Sequence, residues 1–382
     1  GQAGTYVKNY YDTPDYSGGW WTGSPVLYPI GGINSYVPNN IQYDPNLVPQ
    51  NTKSYEVGAD LKFFQNRLGV DYTFSRQNVV DQIFSVPLAG STGIRALLMN
   101  GGKVHTVGHE LVLYVTPLVT KNMQWDFNVN FSKIDNYVDE LAPGVESIFI
   151  GGFSTPQVRA GIGDTYPVIY GDSFLRNAEG KIVVEDDPSS PNYGFPKTGE
   201  PAVIGKVSPD FILGGGTNFS YRNWSLSALF DWKQGGQMYS GSNGLLDYYG
   251  LSKRTEDRES TFIFDGVKSD GAPNDIARGG PNDPYALQSL HTNVLTNIDE
   301  YYIFGSSFVK LRELSLRYSP ANKLFKKVGL GVTVFARNIL LWTELPNLDP
   351  ESSQGNTNMG GAFERFTVPQ TTSYGFNLDL TF

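Results

Sequence analysis

The last residues of the chain alternate without a break. Tyr374, Phe376, Leu378, Leu380 and Phe382 share one parity, and Gly375, Asn377, Asp379 and Thr381 share the other. Strand side chains point to opposite faces with period two, so this segment predicts a strand with one apolar, aromatic face and one small or polar face. The pattern recurs upstream. Ser54 to Phe63 sets Tyr55, Val57, Ala59, Leu61 and Phe63 against Ser54, Glu56, Gly58, Asp60 and Lys62. A tight turn at Gln65-Asn66-Arg67 then leads into Leu68, Val70, Tyr72 and Phe74, the second arm of a hairpin. Further strands are predicted around Leu111 to Val115, Trp125 to Phe131, Phe211 to Tyr221, Trp224 to Trp232, Leu314 to Tyr318 and Gly329 to Asn338. Val309 and Leu311 sit on the opposite parity from Leu314 and Leu316, which predicts a β-bulge between them. A short strand over Tyr6 to Tyr11 precedes them all.

The connections alternate short and long. Brief ones fall at 65–67, 116–122, 222–223 and 319–327, and long ones at 81–102, 141–209, 235–305 and 341–371. The second long connection reads as irregular apart from a small hairpin, Phe174 to Val184, turning at Glu179-Gly180. Structureless connections beyond about 12 to 15 residues are uncommon in compact soluble domains. Antiparallel strands place successive connections at opposite ends, so all short ones gather at one rim and all long ones at the other. That is the form of an outer-membrane barrel, with brief periplasmic turns and longer extracellular loops. Parity then turns Tyr55, Leu61, Val70, Tyr72, Phe127, Val129, Leu226, Phe230, Leu378 and Leu380 to lipid. It turns Glu56, Asp60, Asp71, Asn128, Asp231 and Asp379 to the lumen.

Composition narrows the classes. A formal charge of -9 and no basic stripe argue against a nucleic-acid partner. The absence of cysteine removes disulfide scaffolds, thiol catalysis and thiolate metal sites. No apolar run approaches the length of a membrane helix, but strands of about 9 to 11 residues cross a bilayer without one. Gly1 opens without a charged and apolar leader, which together with the strand count leads to the expectation that the chain begins inside a longer protein.

Little chemistry is legible. His105 and His109, beside Glu110, would lie roughly 13 Å apart along a strand, too far to share an ion. Gly214-Gly215-Gly216 sits inside a strand with no helix or Lys-Ser after it, unlike a phosphate loop. Asp265, Asp270, Asp275 and Asp283 lack the close spacing of a calcium loop, and a solvated acidic loop is the reading preferred to calcium binding. No catalytic motif, cofactor motif or metal-ligand set emerges, and the chain is not expected to be an enzyme.

Several stretches have a family likeness. They are Thr52-Lys53-Ser54-Tyr55-Glu56-Val57-Gly58 with Phe63-Phe64-Gln65-Asn66-Arg67-Leu68; Asn100-Gly101-Gly102 with Gly108-His109-Glu110-Leu111; Ser307-Phe308-Val309-Lys310-Leu311-Arg312-Glu313-Leu314; Ala336-Arg337-Asn338 through Trp342-Thr343 to Asp349-Pro350-Glu351; and the terminal Gly375-Phe376-Asn377-Leu378 closing on Phe382. In order and spacing from Thr52 onward they resemble the SusC-like TonB-dependent transporters, with a departure at Thr106, where an Asn is expected. The resemblance implies an all-β chain that is the C-terminal portion of a large antiparallel transmembrane β-barrel of about 22 strands with a plugged lumen. Residues 1–382 would supply nine to ten of those strands, the plug and N-terminal strands lying outside them. It further implies import of a nutrient, an oligosaccharide or peptide, across the bacterial outer membrane. The implied partners are a SusD-like surface lipoprotein acting as a lid, the TonB complex reached through the N-terminal part, the N-terminal portion of the same transporter, and membrane lipid. Aromatic and amide residues of the loops, namely Trp20, Trp21, Tyr248, Tyr249, Asn282 and Asn293, are the candidate substrate contacts, and lid-interface or interfacial-belt roles suit the aromatics equally. A passive porin, or a barrel anchoring a surface adhesin or assembly scaffold, shares the alternation and stays open on the residues alone.

Overall fold

A computed structural model describes residues 11–12, 32, 37–38, 41–94, 96–163, 165–320, 328–354 and 360–381. Its frame is one nine-stranded sheet in which every neighbour is antiparallel and strand order follows chain order. The strands are β1 (Asn51–Phe63), β2 (Leu68–Val80), β3 (Gly102–Val119), β4 (Met123–Leu141), β5 (Phe211–Tyr221), β6 (Trp224–Gln234), β7 (Phe308–Tyr318), β8 (Gly329–Thr343) and β9 (Ser373–Thr381). All the strands predicted from Ser54 onward are present. The Tyr6 to Tyr11 prediction lies outside the described residues except at Tyr11, which begins a two-residue strand.

Register shows why alternation was so clean. Leu61, Val70, Leu113, Val129, Gly215, Phe230 and Leu311 stand directly opposite one another in a row across the first seven strands. One residue away, Asp60, Asp71, Val112, Asn130, Gly214, Asp231 and Lys310 form the adjoining row on the other face. A one-residue slip anywhere would exchange the two faces, so the hydrophobic pattern pins the register. Tyr55, Leu61, Tyr72, Leu226, Phe230, Leu378 and Leu380 are all exposed on the apolar face. On the polar face Asp60 pairs with Lys62 at 3.0 Å, Asp379 with Arg317 at 2.9 Å and Asp231 with Arg312 at 2.6 Å.

Several strands run longer than the sequence reading. β3 continues to Val119 through a register shift between Val115 and Leu118, so the connection to β4 shrinks to 120–122. Pro117 at the shift has no amide proton for the ladder, which is why the alternation stopped there. The bulge predicted in β7 is present at Arg312. Leu311 pairs with Leu340 and Glu313 with Arg337, leaving Arg312 outside the ladder. Opposite it, Asn338 adopts a φ of 50°, a left-handed conformation that Asn tolerates better than most residues.

The long connections are not structureless, which corrects the reading of 141–209. Ser147–Gly152, Gln157–Gly161, Val168–Gly171 and Ala202–Lys206 form a four-stranded sheet within it, and the hairpin at 174–184 is closed by the Arg176–Ile182 bridge. These strands pack on other loops and carry no clean period. The connection 235–307 leaves the wall at Gly235 and Gly236, both at positive φ, and contains α1 (Gly241–Tyr248). Phe174 and Phe195 from one connection and Ala286, Leu290, Leu295 and Ile298 from the other form a shared buried core. A second core brings Val158, Ile169 and Val207 against Ala362 and Phe363 of the connection 344–372. Much of the described apolar core thus lies in the loops at one rim, and the sheet itself is largely exposed on its apolar face.

That division generates a test. Leu226→Arg, on the apolar face, is expected to cost about 2 to 4 kcal/mol if it lies near the bilayer midplane. Asn128→Arg, on the polar face, should be nearly neutral. Recovery of folded protein from outer membranes on unheated gels reads both, and equal loss for the two would contradict the assignment of faces.

Candidate functional site

Two places gather polar side chains. The first is on the polar face at the β7 bulge. The bulge puts Arg312 and Glu313 on the same side, next to Lys310. Arg312 donates through Nε to Asp231 Oδ2 at 2.6 Å and through Nη1 to Glu351 Oε2 at 2.6 Å. Lys310 Nζ donates to both oxygens of Asp349, at 2.7 and 2.8 Å, and also reaches Glu351. The side chains of Lys310 and Asp349 are only 4% and 7% exposed. Fixed, mutually neutralising charges of this kind hold the segment 349–351 against the wall, and the stretches Phe308 to Leu314 and Asp349-Pro350-Glu351, noted separately in the sequence, are the two halves of one clasp. Beside it lies a cavity of about 690 Å³ lined by Asn130, Ser132, Asp231, Lys233, Arg312 and Glu351 among others. Lys233 Nζ donates to Ser306 Oγ at 2.9 Å at the base of the 235–307 connection.

The second place lies in the loops, between α1 and the segment 284–291. Ser240 caps α1, its hydroxyl accepting the Asn243 N–H at 3.3 Å. The same hydroxyl and that of Ser242 donate to the buried Glu364 at 2.8 and 2.6 Å, tying α1 to the third long connection. At the other end of α1, Asp247 is fully buried, with Arg254 at 2.7 Å and His291 at 3.6 Å. Burial pushes the His291 imidazole below its ordinary value, against the pull of Asp247, and holds the Tyr302 hydroxyl far above its own. A cavity of about 300 Å³ opens here, lined by Asp247, Tyr248, Tyr249, Arg258, Tyr285 and His291 among others.

Of the candidate substrate contacts, Tyr248 and Tyr249 line this cavity, their rings 5.2 Å apart and edge to face. Asn282 is exposed in the turn before it. Asn293 is exposed one turn beyond and donates to Ser289 Oγ at 3.1 Å. Trp20 and Trp21 lie outside the described residues. Sequence reasoning missed Asp247, His291 and the Lys310–Asp349 clasp, since only folding brings members of each set together. Several of the other singled-out groups have partners. His105 bonds Asp139 at 2.7 Å and His109 bonds the Tyr72 hydroxyl at 2.9 Å. Asp275 pairs with Lys268 at 2.7 Å and Asp283 with Arg278 at 2.6 Å. Among the described residues no group of three or more His, Cys, Asp or Glu is placed to hold a metal ion.

Two further carboxylates join the loops. Asp299 Oδ2 accepts the Asp172 N–H at 3.0 Å, and Glu300 accepts the Phe174 N–H at 2.8 Å. Burial pushes the Asp299 carboxyl up to about 6, although the Asp172 N–H favours its charged form.

Comparison with known proteins gives these features a setting. No family model matches the chain. It is 23% identical to TonB-dependent receptor P3 of Formosa agariphila over 91% of this chain and 36% of that protein. It is 22% identical to the TonB-dependent receptor SusC of Bacteroides thetaiotaomicron over 86% of this chain and 32% of that one. The chain therefore spans about a third of the length of these curated relatives. Among solved structures, the RagAB peptide importer in its open-open state superposes with a TM-score of 0.66 at 19% identity, covering 99% of this chain and 38% of that one. The sequence likeness stands: the chain is similar to TonB-dependent receptors, SusC among them, and has the all-β, antiparallel fold of the matching part of the RagAB structure.

Two outcomes follow from the geometry. Lys310→Met leaves Asp349 buried without its cation and should cost about 3 to 5 kcal/mol locally, whereas Lys310→Met with Asp349→Leu should recover most of it. Faster amide exchange over 345–354 in the single variant, reversed in the double, is the readout. For Asp299 the folded value lies above the unfolded one, so the folded loops hold this proton more tightly. Its contribution to stability is present below about pH 4 and fades as pH rises to about 6. Asp299→Asn should flatten that slope, measured as the pH dependence of amide exchange at 172–176 relative to the unsubstituted protein.

Proposed function

We propose that this chain is the C-terminal sector of a TonB-dependent transporter that imports a nutrient, an oligosaccharide or a peptide, across the Gram-negative outer membrane. The observation that carries the reading is the two-ended sheet: an apolar face that is largely exposed, short connections at one rim, and at the other a folded cap built from the long connections. A wall separating lipid from an aqueous lumen accounts for both features. In this reading the cap is extracellular and meets a SusD-like lipoprotein lid. The N-terminal portion of the same transporter supplies the plug, the TonB contact and the strands that pair with the outer edges of β1 and β9. Among the described residues each of those edges is unpaired, and hydrocarbon cannot satisfy their N–H and C=O groups.

Transport draws no catalytic step and no cofactor from this chain. Substrate contact is assigned to the loops, at Tyr248, Tyr249, Asn282 and Asn293, and at Trp20 and Trp21. The similarity to SusC and to the RagAB peptide importer supports energised import over a passive pore.

Deletion of the gene should abolish uptake of at least one oligosaccharide or peptide class, and loss of TonB should do the same. A lipoprotein should co-purify with the transporter from outer membranes. Uptake that persists without TonB would contradict the reading.

A further inference from the structure

The short connections share a charge pattern. At 64–67, 120–122 and 222–223 each carries one cation, Arg67, Lys121 and Arg222, and none carries Asp or Glu. By sequence the fourth, 319–328, adds Lys323, Lys326 and Lys327 and again no acid. In the two longest connections, 142–210 and 235–307, Asp and Glu instead outnumber Lys and Arg by about two to one. A chain of net charge -9 thus keeps one basic rim. The first three cations converge. Arg67 donates through Nη2 to Val119 O at 3.4 Å, and the Arg222 N–H donates to Asn122 O at 2.8 Å, so positions on both sides of Lys121 are held by neighbouring turns. All three side chains are exposed and, among the described residues, none makes an ion pair. Like charges gathered without an acid repel one another, and an anion placed between them relieves the repulsion.

Between the turns 120–122 and 222–223 lies an open hollow of about 660 Å³, lined by Thr120, Lys121, Asn122, Met123, Gln124 and Arg222 among others. Its lining offers hydroxyl, amide and cationic donors and no carboxylate. Asp126, the first acid along β4, is already engaged, accepting from Thr116 Oγ1 at 2.8 Å and Gln124 Nε2 at 2.9 Å. The apolar face runs up to the hollow. Met123 pairs with Tyr221 and Tyr221 with Trp224, Trp125 and Trp224 are exposed on that face, and the Arg222 guanidinium lies 5.3 Å from the centre of the Tyr221 ring.

We propose that this rim holds the phosphate of an anionic phospholipid, with Lys121 and Arg222 as its contacts, Arg67 adding to the field, and the acyl chains lying along the apolar face past Tyr221 and Trp224. Aromatic side chains settle at the headgroup level of a bilayer, and Lys or Arg beside them attract anionic headgroups. A carboxylate from a protein partner would meet the cations but make no use of the exposed aromatics that continue the hollow. The proposal rests on the import reading, which sets the short connections on the periplasmic side and so level with the inner leaflet.

To test it, the full transporter purified in detergent is titrated with phosphatidylglycerol, zwitterionic phosphatidylcholine and lipid A, with and without inorganic phosphate, and bound lipid is read by native mass spectrometry. Phosphatidylglycerol should bind most tightly. Lys121→Gln with Arg222→Asn should weaken it about twentyfold, at about fivefold per cation, and leave phosphatidylcholine unchanged. Asn is chosen at 222 because it tolerates the left-handed φ of 53° there. Lys121→Arg with Arg222→Lys should retain most of the affinity, and Lys181→Gln, in the other rim's connections, should change nothing. Equal affinity for phosphatidylglycerol and phosphatidylcholine, or phosphatidylglycerol binding unmoved by the charge-removing pair, overturns the proposal. Displacement by inorganic phosphate would make the hollow a free-anion site, tighter binding of lipid A would make it an outer-leaflet site, and a co-purifying protein released by the charge-removing pair without lipid selectivity would make it a protein contact; each overturns it. Asn223→Cys, in a chain without cysteine, reads orientation separately, since an impermeant maleimide should reach it only once the outer membrane is opened. Labelling in intact cells with lipid selectivity preserved would sink the import reading alone; protected Cys with no lipid selectivity would sink the lipid site alone.

Discussion

The wall depends on one constraint: in hydrocarbon a backbone N–H or C=O has only another backbone group to pair with. Within the nine-stranded sheet it is met by antiparallel pairing between sequence neighbours, which needs only short connections on one side and leaves the other side free for connections of any length. Once the ladder is continuous, side-chain direction follows from it, and the row through Leu61, Val129 and Phe230 stays apolar while the row through Asp71, Asn130 and Asp231 stays polar. Ladder and parity reinforce each other, since a slip that kept the hydrogen bonds would bring Asp231 and Lys310 to the lipid side.

The bulge at Arg312 is where that regularity is broken to join wall and cap. With perfect alternation, Arg312 or Glu313 would face lipid; the extra residue turns both to the polar side, where Arg312 joins Lys310 in holding Asp349 and Glu351. Four charges in a half-buried site are poor evidence of net stabilisation, because desolvation offsets most of the attraction. Their clearer effect is positional. They set the height at which the connection 344–372 leaves the wall, and Phe363 and Glu364 farther along it then complete the second loop core and satisfy Ser240 and Ser242 at the start of α1.

The wall was legible in sequence because it separates two unlike surroundings, and a period of two records that directly. The bulge was legible for the same reason, as a break of parity between Leu311 and Leu314. The cap was not. Its strands are short, are covered on more than one side, and take their partners from remote positions, as Val158 and Ile169 do with Phe363. No local period survives such packing, so 141–209 reads as irregular although it holds a four-stranded sheet. Tyr248 and Tyr249 stood out as adjacent aromatics in a long loop, whereas Asp247 and His291 are separated by much of that loop and gain meaning only when α1 packs beside 284–291.

This division also explains how the fold survives at 19% identity to a solved relative over 99% of the chain. The wall asks of each position only its polarity and its compatibility with a strand, so many sequences satisfy it. The cap asks more, but only of its own core and of the clasp that anchors it to β7. A change at the rim of the loop cavity, such as at the exposed Tyr249 or Tyr285, disturbs neither the ladder nor the residues of the two loop cores. Such positions are therefore free to vary with little effect on folding, and the surfaces most open to such change are those for which the wall's alternating pattern carries no information.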